Sequence, residues 1–453
     1  MRGAKGWALA VAIALAAGVA GSSAAQSSAE LAMPAGAAPR EPDLIQAIRS
    51  LARYCADILL EPTGKARAEY DYVTSAWNDY EPHWHTGQVI WGLVEASAAL
   101  DDPQFLAPAQ QAGHWWVSGA FAPPHPFAGL VNAVHGDKLG PILINWTTIS
   151  DGTPGLFALS RATGDAAYAA AAIKAGAWLW AHTRVPPDIP GGEGLFYNII
   201  DPVRGVVVTD WNPHRQGPDY DPVAAKRLGA PPIAELARPN IEGFLFADLY
   251  RATGEEVWKM RFLEQAEFAL RRQSPNGLWM DFEPNDPATG VVHPRFNIWN
   301  AEALLEAFAL SGDRRFLEAA ARTAAFYRDI AKPDGTIHYR LFADGRSIPD
   351  SVTGSAVAFN GVLMLRLRDY GVGGFDAAID TAARWVLANR FADDHPDPNL
   401  AGAVINTRYR LKDGRTSFVN RDVGSSFGLR FLALYLRDQR GEDVNHYLSG
   451  KKS

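Results

Sequence analysis

Two carboxylates stand where helices are due to begin. Asp151 opens the segment Asp151–Ala162, and Glu242 closes the run Arg238-Pro239-Asn240-Ile241-Glu242. Measured back from the next helix stop, the two positions agree to within one residue. Two acids in one cleft suit glycosidic chemistry: one protonates the leaving oxygen while the other activates the nucleophile. The flanking segments hold Arg238, Arg295, Arg421, His83, His85, Trp84, Trp146, Trp211 and Trp299, with a third acid at Asp422. Flat rings suit the apolar faces of sugars, and a guanidinium fork suits a uronate carboxylate. We therefore expect Asp151 and Glu242 as an acid/base pair. His83, Trp84, His85, Trp146, Trp211, Arg295, Trp299 and Arg421 are expected to bind substrate.

Each assignment has a plainer rival. Every helix start needs acceptors, so Asp151 also reads as an N-cap. The two roles are compatible only if the capping oxygen is not the reactive one. His83 and His85 form a metal pair with no clear third ligand, so no metal is expected. They read otherwise as sugar-binding or proton-transferring imidazoles, or as packing. Trp84 and Tyr80 suit either a sugar ring or the rim. Asp219 and Asp221 read as a calcium pair or as solvated loop charge. Trp279–Glu283 alternates like a strand, placing Asp281 and Glu283 on one face, towards the cleft or towards water.

The elements that would position these residues repeat about six times. Apolar helical stretches run into Asp101-Asp102, Thr163-Gly164-Asp165, Thr253-Gly254-Glu255, Ser311-Gly312-Asp313, Tyr370-Gly371 and Gly441. In such a stop Gly takes the left-handed C-cap, the next acid N-caps the following helix, and an aromatic residue three positions on starts a buried face. Helices before each stop are rich in Gly, Ala and aromatics and low in charge, as buried helices are. Those after it, such as Arg314–Ala331 and Phe375–Arg390, are amphipathic, and Pro42–Leu60 has the same character. Alternating inner and outer helices predict an all-α fold, an (α/α)6 toroid whose single repeats cannot fold alone.

Links from inner to outer helices are short. Links from outer to inner helices are long: about 61–86, 119–150, 183–239, 274–299, 331–352 and 391–421. β-Hairpins are expected inside them, around Pro202–Gly205 and Asp413-Gly414. In a ring all the long links leave from one end, so the cleft belongs at the N-termini of the inner helices. The helix dipoles there favour anionic ligands.

The chain resembles the six-hairpin glycosidase superfamily, and within it the unsaturated glucuronyl and rhamnogalacturonyl hydrolases. The resemblance runs from about Trp84 to Leu367. It is carried by Trp84-His-Thr-Gly87 with Gly92-Leu, by Asp151-x-Thr153-x-Gly155, by the TGD stops, and by Asp350–Ala356 running on to Gly361-Val-Leu. In that family two Asp residues head the second and third inner helices, and the latter is the general acid that protonates a vinyl ether before water adds. Asp151 matches the first of these. At the second this chain has Asn240 and Glu242 and no Asp, and its second and third inner helices are about one turn shorter.

Residues 1–25 read as a signal peptide: Arg2 and Lys5, an apolar run Trp7–Ala20, then Ser23-Ala24-Ala25. Residues 26–40 form a flexible Ser/Ala/Pro-rich leader, and 41–453 a single toroid domain. A periplasmic or secreted location is expected, without a membrane anchor. A lone Cys55 allows no internal disulfide and reads as packing in the first outer helix. The net charge of −7 argues against nucleic acid as a partner. No P-loop or GxGxxG signature appears, and no cofactor is expected.

Three functions fit. The first is a glycoside hydrolase acting on oligosaccharides, acidic ones by preference. The second is a polysaccharide lyase or uronate C5-epimerase, using Tyr72, His83, His85 or Tyr339 as base. The third is a non-catalytic glycan-binding protein.

Overall fold

The computed structural model describes residues 37–136, 140–209, 237–282, 284–410 and 416–445, and these belong to one compact unit, Ala35–Ser453. The expected signal peptide and most of the leader lie outside the described residues, as do Asp137, Trp211, Asp219, Asp221, Glu283 and the Asp413-Gly414 turn.

The stops work as local devices. Gly164, Gly254 and Gly312 sit at φ 75°, 73° and 72°, and each N–H bonds back to the helix it ends. Asp165 and Asp313 then accept from Ala167 N and Arg315 N to open the next helices. Glu255 makes no such bond. The aromatics that follow, Phe105, Tyr168, Trp258 and Phe316, are all buried.

The outer helices are α1 (Glu41–Arg53), α3 (Leu106–Ser118), α6 (Ala166–Thr183), α8 (Glu256–Arg272), α10 (Arg314–Ile330) and α12 (Asp376–Ala388). The inner ones are α2 (Pro82–Leu100), α5 (Thr153–Thr163) with the short α4 (Trp146–Ser150) before it, α7 (Leu245–Thr253), α9 (Phe296–Ser311), α11 (Gly354–Asp369) and α13 (Asp422–Gln439). Each inner helix packs on the next, and α13 packs on α2, closing the ring. Each of α3, α6, α8, α10 and α12 lies between two successive inner helices, and α1 seats against α13 and α2. This is the (α/α)6 toroid.

The long links meet at one end. Strands β1 (Glu69–Asp71) and β2 (Ala76–Asn78) of the first link pair with β13 (Thr416–Arg421) and β12 (Thr407–Arg410) of the last, in the order β12-β13-β1-β2. Tyr70 lies opposite Asn420 in that seam. Strands β3 (Val134–Gly136), β4 (Gly140–Asn145), β6 (Ile199–Asp201) and β7 (Val206–Val208) join the second and third links. Within the third, β5 (Phe196–Tyr197) pairs with β8 (Ala237–Arg238). Strands β9 (Val291–Val292), β10 (His338–Phe342) and β11 (Ser347–Val352) join the fourth and fifth.

Several sequence expectations change. The first outer helix does not run to Leu60: it passes at Tyr54 into a π-helical turn, Tyr54–Leu59, that holds the buried Cys55. Helix α2 starts at Pro82, so His83, Trp84 and His85 belong to its first turn and not to the preceding link. The second inner helix is broken at Asp151-Gly152. Pro154 has no N–H to offer Ser150 O, and the Thr153 hydroxyl takes that acceptor at 2.8 Å. The segment 279–282 is a turn, with Asp281 exposed and paired to Arg272 at 2.8 Å.

The few charges on the inner helices find one another. Arg366 bonds Glu302 and Glu306, and Arg251 bonds Glu306 and Asp248. Arg430 bonds Glu302 and lies 3.4 Å from the centre of the Trp91 ring. Trp91 in turn donates to Glu95, which faces Arg437 at 3.8 Å. Burying a charge is tolerable only with such partners.

Candidate active site

The second inner helix presents Asp151 through close backbone contacts. A Cβ at Gly87 would come 2.2 Å from Gly152 O, one at Gly155 2.1 Å from Gly87 O, and one at Gly152 2.6 Å from His83 O. Only hydrogen fits there, so α2 and the α4–α5 break meet backbone to backbone. Gln88 donates to Asp151 O across the same contact. Asn145 caps α4 by accepting from Thr147 N at 3.0 Å. Asp151 itself is not a cap. It has ordinary helical angles, and its N–H bonds Thr147 O. Its carboxylate is therefore free of that duty, and it accepts from Ser150 Oγ at a long 3.4 Å.

The third inner helix brings Glu242 alongside. Residues Glu242–Phe244 form a single 3-10 turn before α7, with Gly243 at φ 72° and Phe244 at φ 41°. A Cβ at Gly243 would lie 2.2 Å from Ser150 O and 2.9 Å from Asp151 N. Glycine is thus required there both for the backbone angle and for the space. Glu242 is held by Arg238 of β8, four residues earlier.

The two acids sit in different electrostatic settings. Burial pushes the Asp151 carboxyl well above its ordinary value, and the nearby charges of Glu242 and Glu81 add to this; Arg238 and the Ser150 hydroxyl pull the other way. Arg238 bonds Glu242 and not Asp151. One site therefore holds a carboxyl pushed towards its protonated form beside one bonded to a guanidinium.

The other expected residues separate into groups. Trp84, His85, Arg295 and Trp299 come together: the Trp84 ring lies 4.4 Å from His85 and 5.6 Å from Trp299, and the Arg295 guanidinium 5.9 Å from Trp299. Arg295 is buried and donates to Ser355 Oγ at 3.0 Å. His83 faces the other way. Two residues apart on a helix, His83 and His85 cannot converge on one metal, and among the described residues no group of metal-ligating side chains forms. The His83 ring packs on Trp115 and Trp116 of α3 at 4.6 and 5.5 Å, and burial lowers its pKa to about 3. Trp146 also faces outward, donating to Thr183 Oγ1 at 3.0 Å and packing on Phe196. Tyr72 is exposed near the β1–β2 turn and Tyr339 half-buried on β10. Trp211 and the side chains of Arg421 and Asp422 are not among those described; the backbone of Arg421 pairs with Glu69.

Sequence reasoning missed Glu81. Its side chain accepts from Thr148 Oγ1 and faces His135 Nε2, both at 3.1 Å. Counted back from its helix stop, Glu81 lies about two turns further out than Asp151 and Glu242, so the repeat did not point to it.

No protein-family model matches the sequence, and no curated protein does. Solved structures do. An unsaturated glucuronyl hydrolase specific for heparin superposes with a TM-score of 0.58 at 11% identity, over 89% of this chain and 100% of that one. The unsaturated glucuronyl hydrolase of Bacillus sp. GL1 gives 0.56 at 14%, over 88% and 97%. Cellobiose 2-epimerase from Bacillus thermoamylovorans gives 0.62 at 12%, over 86% and 99%. At these identities the likeness establishes the shared toroid.

Proposed function

We propose that the chain is a carbohydrate-active enzyme that hydrolyses a glycosidic bond of an oligosaccharide. The observation that carries this reading is the meeting of two buried carboxylates at the mouth of the ring, with the arginine bonded to only one. Asp151, in its acid form, gives its proton to the glycosidic oxygen as the bond to the anomeric carbon breaks. The Glu242 carboxylate takes a proton from the water that adds to that carbon, and exchange with solvent restores both groups. Family resemblance alone would place the acid on the third inner helix; the charges here favour the second. Trp84 and Trp299 supply apolar faces nearby. Of the two arginines expected to hold a uronate, Arg295 is buried and donates to Ser355 Oγ, and the side chain of Arg421 is not among those described. The basic, apolar and small-residue order of residues 1–25 supports export.

A second reading is favoured by the likeness to cellobiose 2-epimerases: proton transfer at carbon 2 of a reducing-end sugar, by the same two acids. One assay separates the readings. Purified protein is incubated with neutral, uronate and unsaturated oligosaccharides, and products are resolved by chromatography. New reducing ends mean hydrolysis, an isomeric oligosaccharide means epimerisation, and loss of ultraviolet absorbance means hydration of an unsaturated ring. Asp151→Asn and Glu242→Gln should each lower turnover by at least ~100-fold. Near-normal turnover in a folded Asp151→Asn protein overturns the assignment.

A further inference from the structure

We propose that Glu81 and His135 act together as positioning residues that control the charge beside Asp151. The inference rests on the reading of Asp151 as the general acid. Glu81 is tied to His135 twice: its N–H donates to His135 O at 2.9 Å, and its carboxylate faces His135 Nε2 at 3.1 Å. The carboxylate also accepts from Thr148, three residues before Asp151. The pair thus links the head of α2, strand β3 and helix α4 around the acid.

The backbone shows that this placement is held against resistance. Glu81 has φ 46° and ψ 50°, a left-handed conformation that is unfavourable for a non-glycine residue. Such conformations persist where neighbouring contacts impose them, and here His135 and Thr148 do so.

Charge gives the pair its role. His135 Nδ1 lies 3.0 Å from Gly136 O, which can only accept, so this nitrogen carries a proton. Nε2 faces a carboxylate. A ring that donates from both nitrogens would be the imidazolium, and that form would neutralise a Glu81 carboxylate. Among the described residues, the Tyr80 ring also lies against it, 5.6 Å away between centroids. Asp151 is faced by Glu242, Arg238, Ser150 and Glu81. With Arg238 bonded to Glu242, the Glu81–His135 pair is, among the described residues, the other charged pair that acts on Asp151.

The test is the pH dependence of kcat/KM in wild type, Glu81→Gln, His135→Gln and the double variant. Glutamine at 135 keeps a donor towards Glu81 but removes the positive charge. Loss of activity at alkaline pH reports ionisation of the acid. Removing the Glu81 charge should move that limb to lower pH, and removing the His135 charge should move it higher, each by ~0.5–1 unit. With both charges removed, the double variant should lie between the two single variants. A purely structural role lowers activity without shifts of opposite sign. Limbs that stay in place, or move together, overturn the proposal if Asp151→Asn is inactive. An active Asp151→Asn overturns the reading of Asp151 instead. For a variant too slow to assay, the infrared carboxylic-acid band lost in Asp151→Asn follows the same titration directly. Shifts of opposite sign in that band support the proposal, and a band that does not move overturns it.

Discussion

The toroid buries carboxylates in two places, and the outcomes are opposite. On the inner helices away from the mouth, Glu306 lies between Arg366 and Arg251. Burial alone would raise its pKa, but the two guanidiniums outweigh burial and hold the group below its ordinary value. Asp248 shares one of those arginines with Glu306, and burial wins, raising it to about 6. At the mouth Asp151 bonds no guanidinium and has acids for neighbours, and it is raised well above its ordinary value. Burial is common to all three. What differs is how many cations each carboxylate has to itself. The charge of the interior group is held between helices by two guanidiniums, whereas the mouth group is pushed towards its protonated form.

This contrast can be broken most strongly from the interior. Arg366→Met strips Glu302 and Glu306 of a shared partner and should cost about 3–5 kcal/mol of stability. Chemical denaturation measures it, while turnover per folded molecule should change little. A small loss would mean that the interior pairs are not what fixes the ring.

Titration sharpens the comparison. The folded-state pKa of Asp248, about 6, lies above its unfolded value, so the folded protein binds the extra proton between them. Stability contributed by this group is therefore complete below about pH 4 and is lost as pH rises through about 6, on the order of 3 kcal/mol in all. Glu306 has the opposite sign: its contribution is present at neutral pH and is lost as pH falls through its depressed folded value. Asp248→Asn should flatten the fall between pH 4 and 6 in melting curves, and Glu306→Gln should leave that fall in place.

At the mouth, Gly243→Ala forces a methyl against Ser150 O and should cost about 1–3 kcal/mol. It should also separate Glu242 from Asp151, lowering turnover by about ten-fold or more. Wild-type turnover in this variant would argue that the two acids need not be in register. The smallest stability change should come from Asp151→Asn, which replaces a buried acid by a neutral group of the same shape. Its melting temperature should be unchanged or slightly higher while activity disappears.

Much of the fold was legible because its signals are local. The Thr-Gly-Asp stop at 163–165 and the Ser-Gly-Asp stop at 311–313 specify both a C-cap and the next N-cap within three residues, and they fold as read. The site was legible only in part. Asp151 and Glu242 were chosen because they occupy equivalent places in the repeat, and the structure brings them together. His83 and His85 were grouped because they are near in sequence, yet in the first turn of a helix two such residues face apart, and His83 turns onto α3. Trp146 looked like a rim aromatic and instead packs outward under α6. Glu81 drew no notice because its partner His135 comes 54 positions later in the chain.

The sequence by itself determined the alternation of inner and outer helices, their stops, and the end of the ring from which the long links emerge. Capping and helical periodicity act over a few residues and need no distant partner. Only the tertiary structure decided which acid bonds a guanidinium, which arginine is already engaged and which face each aromatic shows. Those outcomes depend on Arg238 bonding Glu242 in preference to Asp151, on Gly243 fitting against Ser150, and on Arg366 reaching Glu306. The charge of a buried group is set by what lies within a few ångströms, and in a closed ring those neighbours come from other repeats.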